Sequence, residues 1–189
     1  MSKESLQSEF SHVVDVERVP TDGMSLRLSA GEAERQSLAR RFRIPGVLAL
    51  TAQVRIEPDL ALAGGYRVSG RFEAEVEQTC VVSLEPVRQS VSESFERSFS
   101  PVAKMAPPAS EAGEEAEWLD PEIADPPDPL VDGRIDIGEV VAEEVALALD
   151  PYPRKAGAGL PQGYSPDSDE TARITPFAAL ARLKAEKKD

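Results

Sequence analysis

From Tyr66 to Leu84 the chain alternates almost without a break, and that alternation limits what the rest of it can fold into. Tyr66, Val68, Phe72, Ala74, Val76, Cys80, Val82 and Leu84 fall on even positions, whereas Arg67, Arg71, Glu73, Glu75 and Glu77 fall on odd ones. An extended strand sends successive side chains to opposite faces, so the pattern makes one apolar and one charged face. A helix would scatter both sets around its axis. At about 3.3 Å per residue the stretch is long for one strand, and its apolar face turns polar at Gln78. The expectation is a long, curved, half-buried antiparallel strand with a bend or bulge near Gln78-Thr79.

Two further alternating runs flank it. Val47 to Glu57 sets Leu48, Leu50, Ala52, Val54 and Ile56 on one face, and Val87 to Phe99 alternates through Val87, Val91, Phe95 and Phe99. Pro58-Asp59, Gly64-Gly65 and Glu85-Pro86 separate the three. Consecutive alternating runs joined by Pro or Gly turns predict an antiparallel meander with one wet face. A shorter strand is expected over residues 10-16, with Phe10, Val14 and Val16 on one side, ahead of a turn at Pro20-Thr21-Asp22-Gly23. His12, the single histidine, has no cysteine or second histidine beside it and reads as a strand residue.

Helical spacing occurs twice. Ser29 and Glu32 fit the S-x-x-E capping box, which predicts a helix over 29-42 with a thin stripe of Ala30, Ala33, Leu38 and Phe42. Its Arg35, Arg40, Arg41 and Arg43 make it the most basic segment of the chain. Arg40 and Arg41 are candidates for touching RNA or an acidic partner; the alternative is a solvated face that complements the helix C-terminus. Asp136 with Glu139 caps a second helix over 136-149, whose Ile137, Val140, Val141, Val145, Ala148 and Leu149 form a stripe wide enough to cover the sheet, with Glu139, Glu143 and Glu144 outward. Beyond it, Pro151-Tyr152-Pro153-Arg154 is expected to be extended. Tyr152 and Arg154 are residue types enriched at interface hot spots and are candidate partner-binding residues. The competing reading packs Tyr152 on the sheet and turns Arg154 to the helix end.

The segment from Met105 to Gly133 contains no Lys or Arg, is rich in Glu and Asp, and is broken by Pro107, Pro108, Pro121, Pro126, Pro127 and Pro129. Such composition predicts a mobile acidic loop over 105-131, with Trp118-Leu119 and Ile123 as its only anchors. Residues 156-189 read as a flexible tail in which 175-184 can form a turn or two of helix. The fold class expected is therefore α+β: a curved antiparallel sheet from residues 10-16, 47-57, 66-84 and 87-99, covered by two amphipathic helices. It makes a single domain over 8-155, followed by the tail.

Composition narrows function. The 189 residues carry a formal net charge of -13, which repels a phosphate backbone overall while leaving room for a local basic patch. One cysteine, Cys80, excludes an internal disulfide or a multi-cysteine metal site. No apolar run has the length of a signal peptide or a membrane span, so a cytoplasmic protein that engages no membrane is expected. No P-loop, G-x-G-x-x-G, nucleophile-histidine pair or metal-ligand spacing is present. Neighbouring carboxylates such as Glu114-Glu115 and Glu143-Glu144 read as surface charge, and Cys80 as a small buried apolar residue.

Two stretches carry a resemblance. Gly133 to Arg154 (GRIDIGEVVAEEVALALDPYPR) is similar to the hallmark of the YceD family, and Gly70 to Pro86, with Cys80 and Leu84-Glu85-Pro86, resembles its central strand motif. Pro176-Phe177-Ala178-Ala179-Leu180 resembles the tail of the family's alphaproteobacterial branch. Many members carry C-x-x-C at the central motif and a cysteine-rich segment after the helix; here Ser83 stands three residues after Cys80 and the tail has no cysteine, so no zinc site is implied. The resemblance implies a large ribosomal RNA subunit accumulation protein, supporting synthesis, processing or stability of 23S ribosomal RNA. It implies no enzymatic activity and no cofactor. The partners expected are ribosomal proteins or large-subunit assembly factors, with direct RNA contact as a variant and no role for DNA. An acidic chaperone or adaptor holding a basic client is the alternative.

Overall fold

The computed structural model describes residues 9–101 and 126–159. In chain order these contain β1 (Val13–Asp15), a 3-10 turn (Val16–Arg18), β2 (Met24–Ser29), α1 (Glu32–Phe42), β3 (Gly46–Asp59), β4 (Gly65–Thr79), β5 (Pro86–Pro101), β6 (Asp128–Leu130), β7 (Arg134–Asp136) and α2 (Ile137–Ala148). Most of the expected acidic loop, with Trp118-Leu119 and Ile123, and the expected helical turns at 175-184 lie outside the described residues.

The three alternating runs become β3, β4 and β5, paired antiparallel in sequence order. With β2 and β6 at its edges the sheet reads β2-β3-β4-β5-β6 and is open. The class is α+β, as the periodicities imply. On β4 the expected face is the buried one: Val68, Phe72, Ala74 and Val76 are removed from solvent, while Arg71, Glu73 and Glu75 are exposed. Leu38 and Ala39 of α1 and Ile137, Val140, Val141 and Val145 of α2 join the same core.

Several details depart from expectation, each for a local reason. Residues 10-16 do not join the main sheet: only Val13–Asp15 is strand, and it pairs with β7 in a separate two-stranded ribbon. The alternating run Met24, Leu26, Leu28 makes β2, which pairs with β3, so Ser29 ends a strand instead of capping a helix. The amide of Ala30 donates to the Leu50 carbonyl at 3.0 Å, and α1 starts after Gly31, whose N–H is accepted by Glu34 at 2.6 Å. Glu34, not Glu32, therefore closes the first turn, and Ala33 is exposed where Ala39 is buried. On β3 a register shift between Val47 and Ala49 turns Val47 inward and Leu48 outward, since one extra residue reverses every side chain beyond it.

Asp128–Leu130, placed by composition in the acidic loop, instead forms an edge strand parallel to Phe99–Pro101 of β5. An edge tolerates Pro129 because the missing N–H costs no ladder bond on the open side. Arg97 lies on the covered face of β5, opposite Val68. Its guanidinium meets Asp128 at 2.6 Å, Glu143 at 2.9 Å and Glu144 at 3.4 Å. The glutamates of α2 expected to face water thus pin the helix to the sheet edge, within an open cleft of about 780 Å³.

Asp136 joins the two-stranded ribbon to α2. Its carboxylate accepts the N–H groups of Gly138 and Glu139 as a helix cap and also the backbone N–H of His12 at 2.7 Å and the Ser11 hydroxyl at 2.7 Å. The chain ahead of β1 crosses so closely that a Cβ on Gly138 would stand 2.4 Å from the Phe10 carbonyl oxygen, so this helix position requires glycine. All these elements belong to one compact unit that ends at Lys155.

Candidate functional site

β4 stops at Thr79 instead of bending, and the chain folds into a turn centred on a sulfur atom. Cys80, fully buried, donates its N–H to the Glu85 carbonyl at 2.8 Å and accepts the Leu84 N–H on its own carbonyl at 3.0 Å. Its Sγ accepts three backbone amides: Ser83 at 3.3 Å, Val82 at 3.4 Å, and Lys155 from the far end of the domain at 3.4 Å. The amide of Lys155, then the hydroxyl and amide of Ser83, stabilise the thiolate against the opposing effect of burial and hold the thiol down to about 6.

The segment after α2 is clamped onto this turn. Val81 N–H donates to the Pro153 carbonyl at 2.9 Å, and the Lys155 ammonium meets Glu85 at 3.1 Å. Gln78, the polar residue on the inner face, sends its amide to the Asp150 carbonyl at 2.9 Å. Its position is thereby explained, because the last carbonyls beyond a helix otherwise lack donors. Pro153 is buried between these contacts.

What remains outside is apolar. Leu84 is 76% exposed, Tyr152 70% and Val81 46%. Leu84, expected on the apolar inner face, is thus in solvent, because its backbone sits in the left-handed region at φ 58°. That conformation is unfavourable for a leucine. Tyr152 does not pack on the sheet; its amide binds the Asp150 carboxylate at 2.8 Å and its ring is free. Arg154 is exposed beside it and makes no side-chain bond among the described residues. Tyr152 and Arg154 were legible as candidates from residue type, whereas Val81 and Leu84 were not, since nothing local announces a leucine at positive φ.

The α1 arginines are elsewhere and mostly engaged. Arg41 forms a two-pronged pair with Glu139, 2.8 Å on one arm, and meets Glu9 at 3.1 Å; the Glu139 hydrogen bond, opposed by burial, holds its charge firmly in place. Arg41 is a strut between α1 and α2 in place of a free contact residue. Arg40 binds Ser37 at 2.9 Å and Arg35 the Ala30 carbonyl at 2.7 Å. Glu139 lies in the first turn of α2 and Tyr152 beyond its end, so at about 1.5 Å per residue the helix length separates the two groups. Among the described residues, no cluster of three or more His, Cys, Asp or Glu side chains is disposed to hold a metal. No described helix is long and apolar enough to cross a membrane.

An open, helix-covered, mostly antiparallel sheet, closed at one end by a sulfur-centred turn locked to the segment after α2, defines an α+β domain that presents apolar side chains at that end. The family model described as Large ribosomal RNA subunit accumulation protein YceD matches residues 68–184, and the chain belongs to the YceD family. No curated protein and no solved structure matches the chain. The match spans most of β4 with its turn and all of α2 with Tyr152, the segments that the hydrogen bonds of Cys80 and Val81 draw together.

Proposed function

We propose that this protein is a cytoplasmic, non-enzymatic factor that supports accumulation of 23S ribosomal RNA through protein contacts made at the sheet end carrying Leu84 and Tyr152. The observation that carries the contact surface is Leu84, a large apolar side chain held in solvent at φ 58°. A left-handed backbone and a solvent-held leucine each cost stability, so their coincidence at Leu84 within a group of exposed apolar residues supports a binding role. Val81, Tyr152 and Arg154 are exposed as well, and the Val81–Pro153 hydrogen bond brings their two segments together, adding an aromatic and a guanidinium. The partner class that fits is a ribosomal protein or large-subunit assembly factor, because proteins that bind RNA carry basic surfaces and this chain is acidic at -13.

The test deletes the gene and compares 23S with 16S RNA, complementing with wild type, Leu84→Asp or Tyr152→Ala. Restored 23S with wild type, and failure of folded variants to restore it or to co-purify large-subunit proteins, is the expected result. Unchanged 23S in the deletion strain overturns the ribosomal role and leaves the adaptor for another basic client.

A further inference from the structure

Sheet register collects arginines that the sequence scatters. On the uncovered face Arg27 stands opposite Gln53, Gln53 opposite Arg71, and Arg71 opposite Ser94, a straight row across β2 to β5. With strands about 4.8 Å apart, the two arginine backbones lie about 10 Å from each other. Two neighbouring guanidinium groups on this face are neutralised, Arg55 by Glu57 at 2.9 Å and Arg67 by Asp59 at 3.2 Å. Among the described residues the Arg71 side chain binds only the Ser92 hydroxyl, at 3.2 Å, and the Arg27 side chain makes no hydrogen bond or ion pair. Between them runs a groove of about 710 Å³ bordered by the short side chains of Ser25, Ser69 and Ser94. Glu73 bounds the row on the side of the Cys80 turn.

We propose that this groove binds the phosphodiester backbone of folded RNA, Arg27 and Arg71 each taking a phosphate while Gln53 and Ser94 donate to phosphate or ribose oxygens. The inference rests on the ribosomal reading above and names a second, separate surface for it. The chemistry discriminates among occupants. A guanidinium fork matches a phosphate in two places, and hydroxyl and amide donors are the usual companions of such contacts. Phe95 and Val54 line the groove from beneath but are buried, so they offer bases no exposed stacking face, and recognition is of backbone and shape instead of single-stranded sequence. The row of Arg27, Gln53, Arg71 and Ser94 itself supplies none of the apolar anchors that form the centre of a protein interface. In a chain of charge -13, two guanidinium groups with no carboxylate partner among the described residues make a local basic spot that can favour a phosphate at short range against the overall repulsion.

The experiment measures fluorescence anisotropy of the full chain with a labelled hairpin transcript from 23S RNA, with poly(U), and with poly-glutamate, across a salt series. Tighter binding of the hairpin is expected, with log affinity falling linearly with log salt. Arg27→Gln with Arg71→Gln should weaken it at least about tenfold and reduce the salt slope by about 1.5 to 2, with an unchanged urea midpoint showing the fold intact. Equal loss from Arg40→Gln with Arg43→Gln assigns the binding to α1 and overturns the proposal, as does indifference to the sheet substitutions. Poly-glutamate binding as tightly as RNA overturns it in favour of an acidic protein. RNA affinity is read in vitro and 23S abundance in the deletion strain, so either reading can fail alone: unchanged 23S with Arg27-dependent binding removes the cellular role only, and lost 23S with Arg27-independent binding removes the surface only.

Discussion

The backbone N–H of Val81 donates to the carbonyl of Pro153 at 2.9 Å, joining the turn that ends β4 to the segment that leaves α2. Around that bond the Lys155 amide reaches the Cys80 sulfur and the Gln78 amide reaches the Asp150 carbonyl. The clamp uses backbone and buried groups, and so leaves the side chains of Val81, Leu84 and Tyr152 outside. Structure and the proposed contact surface are therefore separable by mutation.

Leu84→Gly is expected to hold stability or gain up to about 1 kcal/mol, because glycine relieves the left-handed strain at φ 58° while adding some unfolded-state entropy. Recovery of large-subunit proteins with the tagged chain should fall in the same variant. Urea titration beside affinity purification measures both, and a loss of more than about 1 kcal/mol would mean that Leu84 serves the fold.

The thiol of Cys80 should titrate at about 6 in the folded protein and near 8.5 when unfolded. A lowered pKa means that the unfolded chain holds the extra proton between those values, so the stability that the thiolate contributes rises with pH across that window. It is complete above the unfolded value and absent below about pH 6. Thiolate absorbance against pH reads the midpoint directly. The stability difference between wild type and Cys80→Ser should widen from pH 6 to pH 9, and a flat difference would contradict the role assigned to the three amides.

Asp136→Ala removes the α2 cap together with the acceptor for His12 and Ser11, so its cost should exceed that of a lone cap, about 2 kcal/mol or more. Asp136→Asn keeps one carbonyl oxygen and should lose less. Gly138→Ala drives a methyl into the Phe10 carbonyl and should destabilise by a similar amount, with hydrogen exchange rising first in β1 and the start of α2.

Arg97→Ala leaves Asp128, Glu143 and Glu144 crowded without their shared cation. A partly buried pair lies between the small value of exposed bridges and the several kcal/mol of buried ones, so about 1–3 kcal/mol is expected. Arg97→Met keeps an apolar stem without the charge and should lose a similar amount. Denaturant curves of the two variants decide this, and a methionine variant as stable as wild type would show that Arg97 acts by packing its stem alone.

Within the chain itself, period-2 alternation over Val47 to Phe99 determined three long strands and which side of β4 and β5 is buried, and period-3.6 spacing after Asp136 determined α2 and its apolar stripe. These are local properties: each depends only on which residues stand one, two, three or four places apart. Residue type at Tyr152 and Arg154 likewise marked two residues that prove to be exposed beyond α2. Tertiary structure decided what lies across from what. Pairing of β1 with β7 instead of the main sheet, the reversal of Val47 and Leu48 at a bulge, and the parallel edge strand at Asp128–Leu130 all depend on the partner strand. So do the alignment of Arg27 with Arg71 and the meeting of Cys80 with Lys155. Register and long-range closure are set by the free energy of the whole core, which no short window of sequence contains.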